Sequence, residues 1–282
     1  MIVSCVLMGG LGNQLFQIFT TISYALKYNI EFKLPYNKHI IDSRSVMYWD
    51  NLFFHLKKYL SNDIQLINVY KERSFSYEPL PHKDLIIKNF SLFYGYFQSY
   101  KYFESNFENI CDLIQLHEQQ NKIKVKNNID YDNSISLHFR IGDYLQLQDC
   151  HPIMSINYYL KSIKHIIEKT SKEDWNIIYF YEKNDHLKVN VAVNILKSKY
   201  PSCNFISVNH ELEDWEQLLY MSCCRHQIIA NSSFSWWGAI FNENKYNDQI
   251  VCYPNIWFGP RLRSHNTNDL CPPSWSKIII NN

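Results

Sequence analysis

The segment ISLHFRIGDY, residues 135–144, holds a histidine, an arginine and an aspartate close together. Side chains alternate along a strand, so Ser136, His138 and Arg140 share one face while Ile135, Leu137 and Phe139 share the other. Gly142 ends the strand and Asp143 follows in the turn. A fixed cation, a hydrogen-bonding ring and a carboxylate then collect at the carboxyl end of a strand, where open parallel sheets hold ligands. An Arg140–Asp143 ion pair beside a hydrogen-bonded histidine would produce the same pattern.

Two further segments carry groups suited to anions. In IIANSSFSWWGAIFN, residues 228–242, a strand runs through Asn231 into serines and then into an apolar stretch compatible with a helix. Ser232 or Ser233 suits its N-cap, and the free N–H groups of such an end, with hydroxyls beside them, bind phosphate. A capped helix with Trp236 and Trp237 in the core is the plainer reading. In GGLGNQLFQ, residues 9–17, the glycines stand at 9, 10 and 12 and position 15 is leucine, so the dinucleotide fingerprint GxGxxG is not matched. Glu31 is poorly placed as a ribose-binding acid, which disfavours hydride transfer. The glycines instead suit a turn that lets backbone approach a ligand, with Asn13 and Gln14 as neutral donors and acceptors.

Metal chemistry has little support. No two of the eleven histidines stand four residues apart, and no CxxC pair occurs. Asp130-Tyr-Asp132 precedes a strand, which puts it at the opposite end of the sheet from the ligand edge. Cys223 and Cys224 read as a buried helix end.

These groups need a scaffold, and 282 residues with 46% hydrophobic and 16% aromatic content suffice for two domains. A net charge of +1 argues against broad neutralisation of nucleic-acid phosphates. Apolar runs are far shorter than the ~18 residues that span a bilayer, and the N-terminus reads as a first strand instead of a secretory signal. The eight cysteines are expected as free thiols. Sequons occur at Asn89 and Asn231, and a glycan at Asn231 would block the proposed phosphate turn. A soluble, cytoplasmic protein is the expectation.

Leu15, Phe16, Phe19, Ile22 and Leu26 recur at helical spacing after the glycine turn, with Gln17, Thr20 and Lys27 off that face. Residues 35–90 show no clean period. In the second half, strands expected at 135–140, 175–181, 204–208, 227–230 and 249–253 alternate with helices at about 155–170, 186–199, 212–224 and 234–243. That alternation implies a parallel sheet covered on both faces. The polar segment 121–133 suits a boundary between halves.

Taken in order, GGLGNQLFQ (9–17), YGYFQSYKYF (94–103), HFRIGDY (138–144), EDWEQLLYMSCCRHQIIANSSFSWWGA (213–239) and YPNIWFG (253–259) resemble the α-1,2-fucosyltransferases of glycosyltransferase family 11, of the bacterial soluble type. The resemblance implies an α/β fold of GT-B type, with two Rossmann-like domains whose parallel sheets face a central cleft. Residues 1–128 would form the acceptor-side domain and 129–282 the GDP-fucose-binding domain. It implies inverting transfer of L-fucose from GDP-β-L-fucose to the 2-hydroxyl of a terminal β-galactoside, with no cofactor and no metal required.

Arg140 and the Ser232–Ser235 helix start, with Asn231 and Phe234, would then meet the diphosphate. His138 would contact ribose, guanine or phosphate, and Asp214 the guanine edge, although Asp214 also suits a helix N-terminus. Gly10, Gly12 and Gln14 would close over the sugar, with Asn13 orienting the reacting groups. Asp143 is the first candidate either for the base or for the residue that fixes Arg140. The rings of Tyr94, Tyr96, Phe97, Tyr100, Tyr102 and Phe103 could stack on galactose or fill the core. The family commonly has H-x-R-R-G-D, and here Ile141 replaces the second arginine, on the face opposite Arg140. Other readings are a fucosyltransferase of different linkage or acceptor (α-1,6 to GlcNAc, or protein O-linked), or a non-catalytic glycan- or nucleotide-binding protein.

Overall fold

In the computed structural model the described residues are 1–36, 46–64, 68–86, 90–242 and 248–280. They form two compact α/β units, Met1–Gln119 with His265–Pro272, and Gln120–Ser264 with Pro273–Asn282.

The first unit contains β1 (Ile2–Cys5), α1 (Leu11–Tyr28), β2 (Glu31–Phe32), β3 (Leu34–Pro35), β4 (Leu60–Ser61), β5 (Val69–Lys71), α2 (Lys83–Ile86), β6 (Phe90–Tyr94) and α3 (Phe107–Leu113). Its main sheet has the order β2-β1-β6-β5 and every pairing in it is parallel, while β3 and β4 form a separate parallel pair. The parallel arrangement aligns the carboxyl ends of β1 and β6, so the glycine turn and the YGYFQ segment emerge from one edge.

Helix α1 starts at Gly10, whose extended backbone serves as N-cap without a side-chain bond. It stops at Asn29 in the left-handed conformation, whose N–H reaches Ala25 and Leu26 carbonyls. Leu15, Phe16, Phe19 and Ile22 are fully buried as expected, but Gln17 and Thr20 are too, while Leu26 is 40% exposed. The amphipathic reading of α1 therefore fails: the helix is buried around most of its circumference. Gln17 is tolerated inside because its amide pairs with backbone, Oε1 accepting from Met8 N at 2.9 Å and Nε2 donating to Met8 O at 3.4 Å.

In the second unit α4 (Leu116–Asn127), which begins before the division, leads through a tight turn to β7 (Ser134–His138), α5 (Ile156–Thr170), β8 (Asn176–Phe180), α6 (His186–Lys199), β9 (Asn204–Ser207), α7 (Asp214–Cys223), β10 (His226–Ile228), α8 (Ser233–Ile240), β11 (Val251–Pro254) and β12 (Ser276–Ile278). The six-stranded sheet runs β12-β11-β10-β7-β8-β9 with every pairing parallel. The expected alternation of strands and helices is therefore present, with ends shifted by up to three residues; position 243, at the end of one expected helix, lies outside the described residues. The segment expected as a boundary, 121–133, is helical as far as Asn127.

The core on one side of this sheet packs Ile135, Leu137, Ile163, Ile177, Val189 and Leu196. Ile141 belongs to the same cluster at 8% exposure, which explains an apolar residue there: its side chain fills core. Among the described residues no helix is long and apolar enough to cross a membrane. All eight cysteines are free, and all but Cys150 are buried.

Candidate active site

Because the second sheet is wholly parallel, the loops after β7, β8, β9 and β10 lie along one edge. Arg140 follows β7 by two residues. Its Nη2 donates to Asp143 Oδ1 at 2.5 Å and its Nη1 to Glu182 Oε1 in the loop after β8. The guanidinium also lies 4.9 Å over the Tyr144 ring. Tyr144 Oη in turn donates to Asn231 O at 3.1 Å, just ahead of α8. A chain of direct contacts therefore joins the arginine to the serine-rich helix start.

Gly142 makes this arrangement possible. It has φ of +30°, its N–H donates to Asp185 Oδ2 at 2.8 Å, and a Cβ there would come within 2.6 Å of Glu182 Oε2. Any side chain at 142 would push the Glu182 carboxylate away.

The helix start is built as expected. Ser232 is the N-cap of α8, its Oγ accepting from Phe234 N at 3.3 Å, and Ser235 Oγ accepts from Ala230 N at 3.2 Å. Asn231 is buried, and its Nδ2 donates to Pro152 O at 2.9 Å and Trp257 O at 3.0 Å. That side chain fixes the turn and has no room for a glycan; Asn89 of the other sequon lies outside the described residues. Ser233 opens the helix and is only half-buried.

His138 ends β7 beneath this layer, 7% exposed, with its ring 5.7 Å from that of Phe234. Burial, with the nearby Arg140 charge, pushes its pKa down to about 3, so the ring is neutral at ordinary pH. Its Nδ1 is buried and has no hydrogen-bond partner among the described residues. Because its folded pKa lies below the ordinary 6.5, the unfolded chain takes up the extra proton. Stability is complete above that ordinary value and is lost as pH falls toward the folded one. His138's share of the stability lost on acidifying from neutrality to pH ~4 should reach roughly 3 kcal/mol, and His138→Gln should lack that share while keeping the loss due to His226, which burial likewise pushes down to about 4; melting curves over that range measure the difference.

Asp214 stands at the first turn of α7, exposed, after β9 and thus on the same edge. Its Oδ1 accepts from Trp215 N at 2.7 Å, while Glu213 and Glu216 form a reciprocal capping box around it. The pair of acids therefore divides: Glu213 caps the helix, and the exposed Asp214 carboxylate, which also favours the helix dipole, accepts from the next backbone N–H. Asp130-Tyr-Asp132 sits at the amino end of β7, where Asp130 caps a turn by accepting from Asn133 N at 3.3 Å. Among the described residues no group of three His, Cys, Asp or Glu side chains is gathered as a metal site would require.

On the first unit, Gly9 has φ of +71° and a Cβ there would lie 2.5 Å from the Asn13 side-chain nitrogen. Gly10 has open space where a Cβ would be, and Gly12 is buried inside the first turn of α1. Gln14 Nε2 donates to Gly9 O at 3.1 Å and Val46 O at 2.9 Å. Asn13 Oδ1 accepts from Gln98 Nε2 at 2.8 Å. Gln98 follows Phe97, whose φ of +51° is unusual for a bulky residue. Glu72 holds that turn, accepting from Tyr96 N at 2.7 Å and Phe97 N at 2.9 Å. Phe97 and Phe103 are core, while Tyr96 is 42% exposed.

The sequence reading missed Glu182, Tyr144, Glu72 and Gln98. Glu182 was discoverable as the first acid beyond the strand 175–181, once that strand is placed beside the one bearing Arg140.

Glu182 also has a consequence. It is 52% exposed and holds a carboxylate against Arg140. Removing its charge in Glu182→Gln should tighten binding of an anion such as inorganic pyrophosphate about two- to fivefold by calorimetry, since an exposed ion pair of this kind is worth little. Weaker pyrophosphate binding would instead mean that Glu182 positions the arginine.

An arginine and a capped helix start at the carboxyl edge of a parallel sheet are groups suited to an anion. The particular family follows from comparison: the profile of glycosyl transferase family 11 matches residues 5–256, and the chain belongs to that family. It is similar to an alpha-1,2-colitosyltransferase of Escherichia coli, 28% identical over 96% of this chain and 97% of that one. It is also similar to the O-antigen biosynthesis glycosyltransferase WbnK of Escherichia coli, 26% identical over 98% and 99% of the two chains. Among solved structures, a glycosyl transferase family 9 protein from Veillonella parvula aligns over 99% of this chain and 86% of its own, at 11% identity and a TM-score of 0.48.

Proposed function

We propose that this glycosyltransferase moves L-fucose from GDP-β-L-fucose to the 2-hydroxyl of a terminal β-galactoside. The acceptor oxygen attacks the anomeric carbon as the bond to the β-phosphate oxygen breaks, GDP leaves with the bonding electrons, and the configuration inverts to α. The acceptor proton passes to a base. On this reading residues 129–282 carry the donor and residues 1–128 the acceptor side, in the manner of GT-B enzymes.

The observation that carries the reading is Arg140 in contact with Tyr144, which is itself bonded to Asn231 at the start of α8. Departure of GDP develops charge on phosphate, and here a guanidinium fork and a helix N-terminus with Ser232, Ser233, Phe234 and Ser235 are available to receive it without a metal. His138, neutral, offers a nitrogen to the nucleotide, and the exposed Asp214 carboxylate is suited to accept from the guanine N1–H and amine. Asp143 is used as the residue that fixes Arg140, because one of its oxygens is already held at 2.5 Å by the guanidinium. Gly10, Gly12 and Gln14 close the turn on the sugar side.

A second donor is favoured by the similarity to a colitosyltransferase. Colitose is L-fucose without its 3-hydroxyl, so both sugars present the same leaving group to Arg140. The deciding experiment incubates the protein with GDP-fucose or GDP-colitose and a panel of lactose, other β-galactosides, GlcNAc-terminated glycans and peptide. GDP release and product NMR are the readouts. Fucosylation of a galactose 2-hydroxyl supports the proposal, preference for GDP-colitose installs the second donor, and hydroxyl attack elsewhere or no transfer refutes it.

A further inference from the structure

Helix α6 covers the second unit's sheet with Val189, Val193 and Leu196, each nearly or wholly buried. The opposite side of such a helix faces water and should be polar. It is not. Leu187, Val191 and Ile195 are 80%, 64% and 45% exposed, and their spacing of four residues sets them in one line along the helix. The neighbouring helix α5 is ordinary in comparison, with Lys161, Lys164 and Glu168 on its exposed side.

The exposed charges of α6 itself are of one sign. Lys188, Lys197 and Lys199 are exposed, and the helix HLKVNVAVNILKSK contains no acidic residue. At about 100° per residue, Lys188 and Lys199 flank the apolar line on one side and Lys197 on the other. Long lysine stems in that position can lie along an apolar surface while their ammonium groups reach anions. A second copy of this chain docked face to face would set lysines against lysines, so self-association fits poorly. We propose that α6 seats the protein on an anionic lipid surface, with Leu187, Val191 and Ile195 entering the headgroup boundary and the lysines meeting lipid phosphates.

The test is co-sedimentation of the full chain with phosphatidylcholine vesicles, with and without about 30% phosphatidylglycerol. The expected result is binding to the anionic vesicles only, weakened by raising salt from about 0.1 M to 0.5 M. The triple variant L187Q/V191Q/I195Q should lower the partition coefficient about tenfold or more, and K188E/K197E/K199E, confined to exposed charges, should abolish binding if the first variant folds poorly. Both should keep wild-type GDP release with a water-soluble acceptor. No binding to either vesicle, or binding unchanged in both variants, overturns the proposal. So does a wild-type dimer in size-exclusion chromatography that the triple variant makes monomeric, because α6 would then be a protein interface.

Discussion

Arg140→Lys should cut turnover by about two to three orders of magnitude while leaving the melting temperature close to that of the wild type. Lysine keeps the charge but loses the fork. In the folded protein Arg140 donates through Nη2 to Asp143 and through Nη1 to Glu182, and its plane lies over the Tyr144 ring. An ammonium cannot hold all three relations, because it is a point charge on a flexible stem with no flat face for the ring. A donor phosphate displacing Glu182 would meet a pre-oriented guanidinium edge, and that orientation is what the lysine variant lacks. The loss should fall mainly on kcat, since charge on the leaving phosphate grows in the transition state, with a smaller change in donor KM. Turnover within threefold of wild type would remove Arg140 from the chemistry and make its ion pairs structural.

The sequence exposed the second unit more clearly than the first for a physical reason. Apolar strands in the second unit, such as WNIIYFY at 175–181, are buried on both faces and alternate with separate helical segments, so each stands out. Residues 35–90 gave no period because their described parts form short pieces: strands of two or three residues, a tight turn of helix at Phe54–Tyr59, and the four-residue α2.

The error at Gln17 and Thr20 has the opposite cause. Polarity was read as exposure, yet Gln17 pairs with the Met8 backbone and so costs little to bury. Individual candidate residues were visible where they adjoin a strand end, as with His138 and Arg140. Glu182 and Gln98 were not, because their partners Arg140 and Asn13 are 42 and 85 residues away and meet them only through parallel pairing of β7 with β8 and β1 with β6.

The same pairing supplies the last prediction, at Asn13. Its Oδ1 is occupied by Gln98 Nε2 at 2.8 Å, so the amide is held with its nitrogen as the remaining group, lying over Gly9. An amide cannot serve as a base near neutral pH, so in the proposed reaction Asn13 would orient a reacting oxygen by donating to it. Asn13→Asp preserves size and the bond from Gln98 but replaces the donor with an acceptor and adds a negative charge. Turnover should fall by about 100-fold or more, with the fold retained. Gln98→Ala leaves the donor in place and only unfixes it, so about a tenfold loss in kcat with unchanged GDP affinity is expected. The ordering is the informative part. If Gln98→Ala were as damaging as Asn13→Asp, Gln98 itself would touch substrate; if both variants turned over at the wild-type rate, the glycine turn would have no part in orienting the acceptor.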